Sequence, residues 1–233
     1  MKWLFDSDSL PIKFLSRTFD MLLIAVLTIL CSILFITVGA AMSAMYDVTI
    51  RIVLDRDNGI LKPYFRAFAK NFKKGTLIWL ICLTGLVFVG ANFYLLTVAT
   101  EGLPEGVKIG VTLVVLIVTV LVGFVVIYAF PLQARYENSV ITTLKNALFI
   151  SIAQFPRSIG LLFANAVALF LGWIAPGVIS LVLVAEFSLV TYITAYNMVK
   201  VFVALGDKDA VRDATIEDDF HVDIEESEQN SEL

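Results

Sequence analysis

Residues 110–130 read "GVTLVVLIVTVLVGFVVIYAF", 21 positions without a charged side chain. A helix needs about 20 apolar residues to cross roughly 30 Å of hydrocarbon, and this stretch meets that length. The strands of a membrane barrel would instead be segments of about 10 residues with alternating polarity. The fold is therefore expected to be helical. Comparable apolar runs occur at 21–38, 77–99, 159–174 and 178–199, with a fifth at 109–132 around the stretch quoted. The chain is 59% hydrophobic and 16% charged, whereas about a quarter of an ordinary soluble domain is charged. These features predict an all-α polytopic transmembrane helical bundle over residues 1–205, with five long spans.

The first run is 18 residues long and follows Asp6 and Asp8, so it departs from the short apolar core and basic start of a signal peptide. It is read as retained. Cys31 and Cys82 both fall inside apolar runs and are read as small packing residues rather than a disulfide or redox pair.

Charge divides the chain. Residues 206–233 hold 11 acids and 2 bases, net −9, while the remainder holds 15 bases and 10 acids, net +5. The acidic segment lacks apolar periodicity and is expected to form a disordered cytoplasmic tail. Its His221 is the only histidine.

Basic flanks favour the cytoplasmic side of a membrane. With five crossings alone, at best 13 bases lie inside and 4 outside. If the chain also breaks near Gly39 and residues 40–55 return through the protein, the count becomes 16 inside and Lys108 alone outside. We therefore expect six passages, both termini cytoplasmic, and a location in the cytoplasmic membrane. The alternative is one long helix through residues 35–59. At 16 residues the returning helix reaches only about 24 Å, so it should pack against other helices through its small residues, Ala40, Ala41, Ser43 and Ala44.

Two amphipathic interfacial helices are expected. In "GILKPYFRAFAKNFKKGT", Pro63 suits a first helical turn. Leu61, Tyr64, Phe65, Phe68 and Phe72 recur at three- and four-residue spacing among Lys62, Arg66, Lys70, Lys73 and Lys74. This pattern describes a basic helix at the headgroups, and Phe68, Phe72, Lys73 and Lys74 are candidates for docking a cytoplasmic partner. The later stretch "PLQARYENSVITTLKNALFISIAQFPRSIGLLF" has Ser139 as a cap and Ile141, Leu144, Leu148 and Ile152 on one stripe. The likeness of "FAKNFKKGTLIWL" to "FISIAQFPRSIGLL" raises an internal duplication.

Glu186 lies well inside the last run, on one helical face with Val190, Ile193 and Asn197. A carboxylate there is costly unless neutral, paired or hydrated. Asp47 and Arg51, four apart and so on one face, complete a candidate intramembrane polar site. Its bland alternative is a structural polar contact. No metal-ligand spacing, phosphate-cradling loop or nucleophile set is legible, so no catalytic residue, cofactor or metal is assigned. Topology explains the basic residues without nucleic acid.

The segments "ILFITVGAAMSAMYDV" and "YFRAFAKNFKKGTLIWLI" resemble the YesL-like family of bacterial membrane proteins, a domain of unknown function. The resemblance rests on Thr37, Val38, Gly39 and Ala40, on Phe68, Phe72 and Lys73, and on Pro131 and Tyr136 in "YAFPLQARYENS". It extends over residues 1 to about 205, with Ala40 where many relatives have proline. The resemblance implies a non-catalytic accessory component of oligosaccharide uptake, its partners being the lipid bilayer and carbohydrate ABC importer subunits. An autonomous small transporter and an intramembrane enzyme are the alternatives.

Overall fold

The first apolar run does not make one helix. In the computed structural model, which describes residues 10–54, 59–99, 104–174 and 180–207, α1 (Leu10–Cys31) stops inside that run. A 3-10 turn (Phe35–Thr37) follows, and α2 (Val38–Val53) continues directly from it. The Thr37 hydroxyl lies within hydrogen-bond distance of the Cys31 carbonyl and, at 2.6 Å, of the Leu34 carbonyl. A side-chain donor among carbonyls left free at a helix end competes with further helix. The break therefore falls at residues 32–37 rather than at the expected Gly39.

Gly39 has a different task, set by what lies across from it. A β-carbon added there would sit 2.1 Å from the Gly75 carbonyl oxygen and 2.6 Å from Trp79 Cβ. Gly75 is nearly as confined, its added β-carbon meeting the Gly39 carbonyl at 2.8 Å. The two glycines let α2 and α3 (Leu61–Ala99) meet backbone to backbone. Beside this crossing, Trp79 Nε1 donates to the Phe35 carbonyl at 3.0 Å and the two rings meet edge to face.

The remaining helices are α4 (Glu105–Arg135), α5 (Val140–Ala153), α6 (Phe155–Ile174) and α7 (Ser180–Ala204). Every regular element among the described residues is helical. α3 and α4 run antiparallel, since Gly85 faces Val122 while Asn71 meets Gln133 near the other end. α2 is the hub, touching α1, α3, α4 and α7. Met45, Tyr64, Tyr128, Phe130, Met198 and Phe202 fill the core around it.

By length and composition, three stretches among the described residues suit a bilayer crossing: Phe35–Val53, Leu61–Leu96 and Glu105–Arg135. A fourth arises if the bent pair Val140–Ala153 and Phe155–Val167 counts as one span. Among the described residues, the expected five long spans thus become three or four. One reason is the early stop of α1, which gives the end of the first run to the turn and α2. Another is that run 159–174 has only 16 residues, short of the roughly 20 a crossing needs. The expected returning helix is present, and with its turn it is one of the three. It is 67% buried against 11% for α3, so it packs on protein as its small residues predict.

The stretch expected to lie flat at the interface is instead the foot of α3. That helix runs unbroken for 39 residues, about 58 Å. Its buried stripe is Tyr64, Ala67, Asn71, Gly75, Ile78 and Cys82, so of the expected aromatic face only Tyr64 points fully inward. Higher up, Leu80, Ile81, Val87 and Phe88 of α3 and Leu113, Val114 and Ile117 of α4 are exposed. Such an outer surface suits lipid. The second stretch expected to form an interfacial helix is a separate helix, α5, whose Ser139 cap accepts from the Thr142 amide at 3.2 Å.

Candidate functional site

Most of the charged residues among those described gather at one end of the bundle, Glu105 and Lys108 at the start of α4 excepted. On α2 and its C-cap residue, Asp47, Ile50, Arg51 and Leu54 recur at three- and four-residue spacing and therefore share one face. Lys70 of α3 and Ala134 and Arg135 of α4 complete the wall of a pocket of about 170 Å³. Arg51 Nε donates to Asp47 Oδ2 at 2.8 Å, which joins the expected pair. The Asp47 side chain is 17% exposed and Arg51 50%, so the carboxylate lines the wall while the guanidinium reaches the mouth.

Three further contacts tie the helix ends together around this pocket. Lys70 Nζ pairs with Glu137 at 2.7 Å, and Lys74 Nζ donates to the Asn138 carbonyl at 2.9 Å. Arg135 donates two bonds to the Asp207 carboxylate, both 2.9 Å, in the bidentate geometry that makes guanidinium pairs strong. Tyr136 Oη adds a third donor to Asp207 at 3.1 Å. Burial, then the Asp207 charge, pushes the Tyr136 hydroxyl up to about 12. Lys70 holds the exposed Glu137 carboxyl below its usual range, by its hydrogen bond first and its charge second.

Asp207 reaches Arg135 because of how α7 ends. The Gly206 amide donates to Val203 O and the Asp207 amide to Phe202 O, both at 3.0 Å, with Gly206 at φ 76°. This is a Schellman cap, and the left-handed residue it needs favours glycine. Tyr136 then packs edge to face on Phe202, ring centres 5.4 Å apart.

Beneath the charged end lies a buried polar relay from three helices. Thr143 Oγ1 donates to Gln133 Oε1 at 3.2 Å, Gln133 Nε2 to Asn71 Oδ1 at 3.3 Å, and Asn71 Nδ2 to the Ala67 carbonyl at 3.1 Å. All three side chains are buried. Unpaired amides there would each cost about 1–3 kcal/mol, so the relay fixes the register of α3, α4 and α5. A second relay joins Tyr128, Ser158 and the Ser151 carbonyl at 2.8 and 2.7 Å.

Of the expected intramembrane site, Asp47 and Arg51 meet. Asn197 lies on α7 and donates back to its own helix at Ile193 O, 2.8 Å. Glu186 falls within α7, but its side chain lies outside the described residues, as do His221 and the tail beyond Asp207. Phe68 and Phe72 stack edge to face at 5.7 Å. Phe72, Lys73 and Lys74 are exposed. Sequence reasoning did not single out Lys70, Arg135, Tyr136 or Asp207 as one cluster. Their mutual proximity depends on helix pairing, although the density of polar residues in "QARYEN" directly after an apolar run was a usable signal.

No curated protein and no solved structure matches the chain. Residues 21–93 match the sequence profile of a family described as "Protein of unknown function, DUF624". That segment takes in the Gly39–Gly75 crossing, Asp47, Arg51 and Lys70, and stops short of Arg135 and Asp207. Over this part, the chain is similar to that family.

Proposed function

We propose that the chain is a non-catalytic, YesL-like accessory component of oligosaccharide uptake in the cytoplasmic membrane. In this reading it associates with carbohydrate ABC importer subunits, and both its termini are cytoplasmic. The observation that carries the reading is the charged end itself. Its pocket of about 170 Å³ is below the roughly 300–1,000 Å³ of a small-molecule site, and each charged side chain in its walls is already in an ion pair. Such an end offers an oligosaccharide little room, and offers a partner protein a firm polar surface. The arrangement of Arg51, Lys70, Lys74 and Arg135 at this end, with Lys108 at the start of α4, supports the assigned orientation.

Gentle solubilisation followed by identification of co-purifying proteins tests the proposal. Importer permease subunits are expected, and recovery of none across several detergents would overturn it. A second reading draws on the Asp47–Arg51 pair in the pocket wall: an autonomous small transporter. Reconstitution alone into liposomes separates the two, since an accessory component moves no sugar by itself.

A further inference from the structure

The cations along the foot of α3 fall into two groups that the sequence does not distinguish. Lys70 and Lys74 face the end of α4 and are engaged by Glu137 and the Asn138 carbonyl. Lys62, Arg66 and Lys73 are exposed and, among the described residues, make no ion pair or hydrogen bond. At 100° per residue, these three lie within about 40° of one another, on the side opposite the buried stripe through Tyr64, Asn71 and Ile78. Continued upward, the same strip of surface carries Leu77, Leu80 and Val87, all exposed.

The change from cation to aliphatic occurs between Lys73 and Leu77, about 6 Å apart along the axis. From Thr76 to Leu96 the helix then runs about 31 Å, close to the hydrocarbon thickness. Beside the cations, Phe65 is 51% and Phe72 42% exposed, and aromatic rings favour this depth. A soluble partner would not require the cationic strip to continue into a lipid-facing one. A phospholipid does, because its acyl chains and its phosphate are covalently joined.

We propose that the outer face of the α3 foot binds the phosphodiester headgroups of anionic phospholipids, with Lys62, Arg66 and Lys73 contacting phosphate and Phe65 and Phe72 seated beside the acyl ends. The surface potential of an anionic leaflet adds to this pairing.

The test uses the full chain in nanodiscs of phosphatidylcholine containing a minor fraction of phosphatidylglycerol, with the lipid retained after detergent extraction counted by mass spectrometry. The wild type is expected to enrich phosphatidylglycerol, and to do so less in high salt. The triple variant Lys62→Gln/Arg66→Gln/Lys73→Gln should lose about fivefold in retention per cation, on the order of 100-fold in all. Lys62→Arg/Lys73→Arg should keep the preference. Circular dichroism and thermal melting on each variant show that it is folded, and Lys108→Gln at the far end should keep full enrichment.

Unchanged enrichment in the folded triple variant would overturn the proposal. So would enrichment that inorganic phosphate abolishes as readily in detergent as in the bilayer, because the site would then hold free phosphate. Equally damaging would be anionic lipid binding only after deletion of residues 208–233, since the cations would then belong to the chain's own acidic segment.

Discussion

α3 and the α5–α6 pair begin from similar sequence material and end in different shapes. Each joins a stretch of mixed polarity to an apolar one, as "FAKNFKKGTLIWL" and "FISIAQFPRSIGLL" show. In the first the helix continues without a break for 39 residues. In the second it turns by 105° between Ala153 and Phe155. Proline accounts for part of the difference. Pro156 cannot donate a backbone bond, and it disfavours helical geometry at the residue before it. At the second position of α6 it is tolerated, because amides in a first turn have no partner in their own helix.

Serine supplies the rest. Ser158 is fully buried, and its hydroxyl lies 2.7 Å from the Ser151 carbonyl and 3.1 Å from that of Gln154. It thereby serves the Ser151 carbonyl, which the end of α5 would leave unpaired, whereas the Gln154 carbonyl also accepts from the Ser158 amide at 3.0 Å. α3 has no such stop, and its interruption of composition at Gly75 is used for packing. A glycine inside a helix costs about 1 kcal/mol relative to alanine, which the crossing with Gly39 must offset. The contrast is between a joint that bends to satisfy its own carbonyls and one kept straight by a neighbour.

The sharpest way to break the straight joint is Gly39→Ala. Helix propensity alone would stabilise α2 by about 1 kcal/mol. Against this, the new methyl would lie 2.1 Å from the Gly75 carbonyl, and backbone cannot swing aside as a flexible side chain can. Overpacking of this kind costs about 3 kcal/mol, so the net change should be destabilising by about 2 kcal/mol. Thermal melting in detergent reads it as a lower midpoint. Gly90→Ala is the control on the same helix as Gly75, since an added β-carbon there meets nothing within 4 Å; it should be neutral or slightly stabilising. If Gly39→Ala raises the midpoint as Gly90→Ala does, the close crossing is not what holds α2 to α3.

This result bears on what the sequence made legible. Helical class, the apolar surface, the return of residues near 38–53 and the Asp47–Arg51 pair could all be read from composition and spacing. Gly39 was legible as special, but its role was not. A glycine after an apolar run reads as a break, and only the position of Gly75 on another helix shows that it is a contact. The phase of the α3 foot was obscured for a related reason. Its large aromatics predict a buried or interfacial stripe, but within lipid-like surroundings small residues take the packed face and large apolar ones turn outward. Asn71 and Gln133 illustrate the same limit, since each finds its partner 62 positions away.

The bent joint should yield to a pair of substitutions more than to either alone. Ser158→Ala removes the hydroxyl that donates to the Ser151 carbonyl and accepts from Tyr128, leaving a buried carbonyl unsatisfied at a cost of about 1–3 kcal/mol. Pro156→Ala alone should change stability by less than about 1 kcal/mol, because the proline already sits where its missing amide is harmless. Together they allow a continuous helix through Gln154. Spin labels at Thr142 and Phe163, both on the outer surface, should report a longer distance in the double variant than in the wild type. An unchanged distance would mean that packing against α4, rather than these two residues, sets the angle.

The smallest effect should come from the tie between the two regions, Lys70 on the straight helix and Glu137 just before α5. The Glu137 carboxyl is held below its ordinary value by Lys70. A carboxyl with a lowered folded-state value contributes stability above its unfolded value and loses it as pH falls through the folded one. Since a free glutamate titrates near 4.3, the contribution should be complete at neutral pH and vanish only in acid below that point. The carboxylate is exposed to solvent, so salt screening keeps the effect small. Glu137→Gln should therefore leave the neutral-pH melting midpoint almost unchanged while flattening its fall between about pH 5 and pH 3. An equally steep acid transition in that variant would place the sensitivity in another carboxylate, and would leave the Lys70 tie without a share in holding α3 to the segment that leads into the bend.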